Sequence, residues 1–489
     1  MRSAMDISKA KKYALPLSFA AALITVFFIY AMYISSVGIL TKWAAALFAL
    51  LFCGEVIMLL NGFKGGYGIY MLGSKRGINF IDDISKRRKA FWGALADWGL
   101  VVSLGAFAYP LMKKRHHGKR MLLFGIATLA VLLFLIMPNL YYSLQFINLP
   151  QITGRVAGEA AASSQAHGIS YLSYAIYAVT VIGGFATFTF LVVLENAASI
   201  IYGIAAFVSS AAASHPNTAI LSSQVPGIAP IIPGITIPLF AGIISLFILL
   251  VVHEFSHGVL ARQAKVKLKS IGIAIFGIIP IGAYVEPDEK EIRRLPKMKQ
   301  IRILVAGISS NILASVIFFA LMMLFVVFVL PDFMTYHVVV EATMPGYPAN
   351  GVIAPGSTIL AWNGYPIKNL TSFVVAAKND TPYSTILVQT NKGSYKFATN
   401  ETGRIGVYVT QESVPKSGIL SGAANFLYMI FALSFLLNFL VGVVNLLPIP
   451  GFDGWRIYQL NIGKRALNLL AIVIILALLA NVLPWFWLG

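Results

Sequence analysis

Cysteine is almost missing from this chain of 489 residues: Cys53 stands alone, inside an apolar stretch. No intramolecular disulfide can form, and thiol catalysis finds little support. Charge is scarce too. Only 11% of residues are charged, against roughly 25% in ordinary soluble domains, while 58% are hydrophobic and mean hydropathy is +0.80. That balance excludes a soluble globular protein. Acids are the scarcer sign, 18 against 37 bases, for a formal charge of +19. The excess raises nucleic acid as a partner, but the basic residues gather in short loops beside apolar runs, as cytosol-facing flanks do, so no nucleic acid is expected. A cleavable signal peptide is a poor fit: the first apolar stretch is too long and lacks a convincing small-residue cleavage site.

What is present is a series of long apolar stretches, at 14–38, 42–62, 91–112, 121–141, 170–194, 237–262, 302–330, 421–449 and 466–488. Each suffices for a span of about 20 residues. The expected fold class is an all-α polytopic membrane protein of about nine transmembrane helices with a small β-rich insert. Lys9, Lys11 and Lys12 place the N-terminus inside, and the basic loops at 64–89, 262–269, 293–302 and 464–465 then fall on the same side. One loop breaks the rule: Lys113, Lys114, Arg115, Lys119 and Arg120 would lie outside. Either 91–112, which carries Asp97, does not cross fully, or 195–213 is an extra span.

The apolar run Ile237 to Leu250 leads into His253-Glu254-Phe255-Ser256-His257. On a helix the two histidines, four residues apart, project from one face and can grip one Zn²⁺, with Glu254 beside it as a general base. Finding this pentad within a membrane span points to chemistry on a substrate that is itself in the membrane. A catalytic zinc usually takes three protein ligands and keeps one position open. His116, His117, His167, His215 and His337 read as solvated residues in loops or at span edges. The third-ligand candidate is Asp453, where proline and glycine close an apolar span and loosen its helical hydrogen bonding. Counting spans puts His257 and Asp453 near the same membrane face.

Together, His253-Glu254-x-x-His257, Asn445-x-x-Pro448-x-x-x-x-Asp453-Gly454 and Ala306-Gly307-Ile308-Ser309-Ser310-Asn311 resemble the site-2 protease family of intramembrane zinc metalloproteases, over roughly 225–489. Ile308 stands where family members often have proline. The segment Pro280 to Val285 looks like the family's membrane-associated β element, and Pro233 to Pro238 resembles the approach to its catalytic helix. The resemblance implies His253, His257 and Asp453 as ligands of one Zn²⁺, Glu254 as base, and single-pass membrane proteins, pre-cut by another protease, as substrates. Asn445 reads either as a cap at the helix break or as a group positioning substrate or stabilising the oxyanion. Asn311 reads either as an interhelical hydrogen-bonding residue or, with Gly282, Tyr284 and Pro448, as part of the substrate site. Glu55, Asp97 and Glu195 also lie in apolar surroundings and stay unassigned.

Between Pro331 and Lys416 apolar continuity stops, and short β-like runs such as Thr385–Thr390 and Gly406–Thr410 follow. Pro348 to Gly364 resembles a PDZ-domain core, with Ser357 where an aspartate is common, which implies capture of peptide C-termini, Gly403 to Gly406 supplying the carboxylate-binding turn. The expected organisation is 1–213 as a multi-span region of unknown role, 225–330 and 417–489 as two parts of a protease core, and 331–416 as an extracytoplasmic domain. The expected location is the lipid bilayer of the plasma membrane, with the catalytic site near the cytosolic face. Rival readings are a prenyl-protein protease, which usually takes a glutamate as third ligand, a silent scaffold, and a transporter built on the first 200 residues.

Overall fold

The computed structural model describes residues 7–37, 39–113, 117–144, 171–213, 217–222, 224, 226–228, 231–234 and 236–486. His116, His167, His215 and Ile235 of the 233–238 turn lie outside the described residues. The chain divides into two compact units, Met1–Ala320 with Ile430–Gly489, and Leu321–Met429.

The first unit is mainly helical. Among the described residues eight helices are long and apolar enough to cross a membrane, and the stretch read at 121–141 forms a further helix, Gly118–Leu144. The pentad lies in the helix Leu239–Gln263. Pro238 precedes its first turn, where the missing amide costs nothing. At the other end Lys265 takes a left-handed conformation (φ 66°), and the amides of Lys265 and Val266 return to the carbonyls of Arg262 and Ala261. The helix Lys297–Phe328 follows the sheet described next, and the helix Ile419–Val444 leads to the turn that carries Asp453.

The β element expected around Pro280 to Val285 proves larger than the sequence suggests. Strands β1 (Lys64–Gly66), β2 (Ile69–Gly73), β3 (Leu268–Phe276) and β4 (Ile279–Pro287) form one antiparallel sheet in the order β1-β2-β3-β4. Two strands therefore come from the N-terminal 200 residues, with Gly73 opposite Gly272 and Ile69 opposite Phe276. The helix Lys75–Arg87 also packs on the pentad helix. Ile81, fully buried, fills the space left by Gly258, while Asp82 takes Arg262 in a two-point ion pair and Ser85 accepts from Gln263.

A glycine breaks the segment that precedes the basic loop at 113–120. The helix Lys89–Leu104 stops at Gly105 (φ 56°), and the chain continues as short helical turns to Met112. A straight 24-residue helix would part its ends by about 36 Å. Instead Lys89 and Met112 line one cavity of about 380 Å³, together with His117, Gln263 and Arg302. The two ends of the segment therefore lie closer than a straight helix allows. Gly105 meets a second break, Gly184 (φ 67°), where a Cβ on either glycine would collide with the other segment's backbone. Residues 195–212, the other stretch in question, continue the helix Tyr171–Ala212 beyond its break at Gly184. No proline interrupts them, and Asn196 is accommodated by a hydrogen bond to Asn481 (2.6 Å). The other intramembrane acids find partners too. Asp97 takes Arg302 in a bidentate pair (2.8 and 2.6 Å) and Glu55 accepts from the Gly68 amide (3.0 Å), while Glu195 is exposed.

The second unit holds a six-stranded antiparallel sheet. Its strands are β5 (Met334–Thr343), β6 (Thr358–Trp362), β7 (Tyr365–Pro366), β8 (Thr385–Thr390), β9 (Gly393–Ala398) and β10 (Val407–Pro415), in the order β10-β5-β6-β8-β9 with β7 on β6. A helix, Leu370–Lys378, opens with a capping box between Asn369 and Ser372. Val338, Ile359, Trp362, Phe373, Val388 and Phe397 form its core, each side chain contributing about 1.5–3 kcal/mol on burial. The Trp362 indole donates to Asp380 (2.8 Å), whose carboxyl burial raises above its ordinary value, offset in part by that bond. The run read at 385–390 is β8, and that at 406–410 opens β10.

Candidate metal centre

Helical spacing brings His253 and His257 onto one face, as their separation of four requires. Asp453 reaches them from a different route. After Val444 the chain turns through Pro448, Pro450 and Gly451 (φ 99°), and the Gly454 amide returns to the Asn445 carbonyl (2.7 Å). A Cβ on Gly454 would lie 2.5 Å from the Leu446 carbonyl carbon, so only glycine closes this turn. Asp453 then starts the short helix Asp453–Gln459.

The three ligand atoms meet. The Nε2 atoms of His253 and His257 are 3.1 Å apart, and Asp453 Oδ2 lies 3.3 Å from the first and 3.2 Å from the second. Bonds of about 2.0–2.1 Å at tetrahedral angles would separate ligand atoms by about 3.3–3.4 Å. Asp453 Oδ2 is buried without a hydrogen-bond partner, a costly state that a cation would relieve. Among the described residues this is the one group of three His, Cys, Asp or Glu side chains with metal-binding geometry. The residues fit a zinc ion.

One face of the helix Lys297–Phe328 cradles both rings. The Ile303 carbonyl accepts from His257 Nδ1 (2.7 Å), which leaves Nε2 free to ligate. One turn on, Gly307 makes room: a Cβ there would sit 2.5 Å from His253 Cε1 and from His257 Nε2. Another turn on, the Asn311 amide lies 3.1 Å from His253 Nδ1. Positions 303, 307 and 311 share that face by their spacing of four. Asn311 is fully buried and touches the metal-binding ring rather than the open cavity. Ile308, in the proline position, is also fully buried.

Beside the ligands lies a cavity of about 350 Å³, lined by Glu254, Val285, Ile292, Val441, Asn445 and Arg456 among others. Glu254 Oε2 accepts the amide of Val285 (3.3 Å), on β4. Because β4 is the sheet's edge and this amide points away from β3, the unpaired edge faces the glutamate. Gly282 lies on the same strand near Leu250, Tyr284 turns its hydroxyl to Ser270 (3.2 Å), and Pro448 is buried away from the cavity lining. At the cavity's rim Arg456 makes a bidentate pair with Glu289 (3.0 and 2.5 Å). Sequence reasoning missed Ile303 and this pair, and it quoted Gly307 and Val285 within motifs without their contacts; the four-residue spacing of Gly307 from Asn311 was the signal there.

Residues 241–483 match the model of peptidase family M50, the site-2 protease family. That segment belongs to peptidase family M50. The family is zinc-dependent, and the matched segment includes His253, His257 and Asp453, the cluster that could hold a metal ion. An uncharacterized protein of Methanocaldococcus jannaschii is 29% identical over 230 residues, covering 46% of this chain and 58% of the relative. The chain spans less than two thirds of that relative's length. The M50 match starts after β1, β2 and the helix Lys75–Arg87, yet these elements build the sheet and brace the pentad helix.

Proposed function

We propose that this M50 protein cleaves the transmembrane segments of membrane-bound proteins, with zinc held by His253, His257 and Asp453 and Glu254 as general base. The observation that carries the reading is the ligand triangle of 3.1–3.3 Å edges with Glu254 facing the free edge of β4. Zinc bound there supplies a Lewis acid that polarises the scissile carbonyl and acidifies water. Glu254 accepts the water proton and returns it to the leaving amine. Asn445, on the cavity wall, donates to the developing oxyanion. A membrane helix hides its carbonyls in its own hydrogen bonds and must unwind before cleavage. Pairing with the outward groups of β4 replaces those bonds and lays an extended peptide beside Glu254.

Substrates are single-pass proteins shortened beforehand by another protease, and the 331–416 unit binds their new C-termini in PDZ fashion. A cavity of about 510 Å³ beside the helix Leu370–Lys378, lined by Tyr365, Asn369 and Val375, suits a peptide; the Gly403–Gly406 turn is outside its lining. Met112 and His117 line one cavity with Lys89 and Arg302, which supports a shared, cytosolic side for the basic residues around them in a plasma membrane. The test is purified protein in lipid nanodiscs with a model single-pass substrate, followed by mass spectrometry. Cleavage within the apolar segment, lost with a zinc chelator and in Glu254→Gln, supports the proposal. Cleavage only in soluble regions, or full activity of Glu254→Gln, refutes it.

A further inference from the structure

We propose that Asn311 is a positioning residue that sets the tautomer of His253 for metal binding by accepting its Nδ1 proton. This inference rests on the metal-centre reading above. The Asn311 amide approaches His253 Nδ1 through its nitrogen at 3.1 Å, and its oxygen is buried without a partner. A donor at that position requires a bare Nδ1, and a neutral imidazole then carries its proton on Nε2. Nε2 is the atom that faces His257 Nε2 and Asp453 Oδ2. A ring protonated there cannot ligate. Turning the amide by 180° about its last torsion reverses every consequence: Oδ1 accepts from Nδ1–H, the Nε2 lone pair faces the ion, and the stranded oxygen gains its bond.

The neighbouring histidine shows the same logic with a different acceptor. His257 Nδ1 meets the Ile303 carbonyl, an oxygen that can only accept. At His253 a side chain stands in the corresponding place. Gly442 packs against Asn311 Cβ. Asn311 is fully buried, so solvent cannot substitute. Outer partners of this kind typically change metal affinity 10–100-fold.

The experiment measures zinc affinity of the full-length protein in detergent by competition with a chromophoric chelator. The wild type is compared with Asn311→Leu, which lacks an acceptor, and Asn311→Asp, which keeps one. Asn311→Leu is expected to bind zinc about 10–100-fold more weakly, while Asn311→Asp stays near the wild type. In zinc-loaded, ¹⁵N-histidine-labelled protein the His253 Nδ1 proton resonance moves downfield in Asn311→Asp, a change that general loosening of the fold would not produce. Equal affinity of Asn311→Leu and wild type overturns the inference. So does an unmoved Nδ1 resonance in Asn311→Asp, which decides the matter even where Asn311→Leu does not fold. Wild-type protein that takes up no zinc overturns the metal-centre reading as well, and is thereby distinguished from failure of the inference alone.

Discussion

Substituting Gly307 by alanine places one methyl group where two imidazoles now lie. The new Cβ would be 2.5 Å from His253 Cε1, 2.5 Å from His257 Nε2 and 2.6 Å from His253 Nε2. Ordinary carbon contacts are about 3.5–4.0 Å, so the rings must retreat by about 1 Å or the helices must part. Metal ligands tolerate displacements of only about 0.2 Å. Overpacking costs about 1–3 kcal/mol, which corresponds to roughly 5–150-fold in zinc affinity at 1.4 kcal/mol per decade. Gly422→Ala, on the helix Ile419–Val444, is the control, since a Cβ there meets nothing within 4 Å. Chelator competition and elemental analysis of both variants give the comparison. Wild-type zinc affinity in Gly307→Ala would refute the account of this helix face as the seat of the metal-binding rings.

Other consequences are equally direct. Glu254→Gln retains zinc but loses turnover by about 10²–10⁴, whereas Asp453→Ala loses the metal itself; elemental analysis beside a cleavage assay separates the two. Ala283→Pro removes an outward amide of β4 without touching the β3 ladder, because it lies two residues from Val285. Losing one such bond slows cleavage by about tenfold with zinc content unchanged. Asp97→Ala leaves Arg302 unpaired in a largely buried place and lowers stability by about 3–5 kcal/mol; thermal unfolding in detergent measures it, with Asp97→Ala/Arg302→Met recovering part. For Asp380 the folded carboxyl binds its proton more tightly than the unfolded one. The second unit is therefore most stable below the ordinary value of 3.8 and loses that stability as pH rises through the raised folded value. Protection factors at Ile386–Val388, each taken relative to the intrinsic exchange rate at its own pH, are expected to be lower at pH 6 than at pH 4, with that difference reduced in Asp380→Asn.

The cluster of His253, His257 and Asp453 was legible in the sequence because each side's determinants are local. A spacing of four puts His253 and His257 on one helical face, and the Pro448–Gly451 break explains how Asp453 leaves the helix axis. The alternating run at 385–390 likewise announced β8. What stayed hidden depends on distant segments meeting. Nothing in Ile69–Gly73 says that it pairs with β3, since a five-residue apolar run fits many partners. The basic loop with Lys113, Lys119 and Arg120 did show in the charge pattern, but the break that precedes it, a positive φ at Gly105, belongs to tertiary packing against Gly184. Ile303 acts through a carbonyl, which every residue type possesses, and so leaves no trace in residue identity.

The hydrogen-bonded seam joining β2 to β3 has a practical consequence for anyone wishing to shorten this protein. The front of the chain is stitched to the platform beside Glu254, so removing it would expose a new raw border and let that platform warp. A minimal version beginning near residue 225 is then expected to misplace its substrate before it loses its ion.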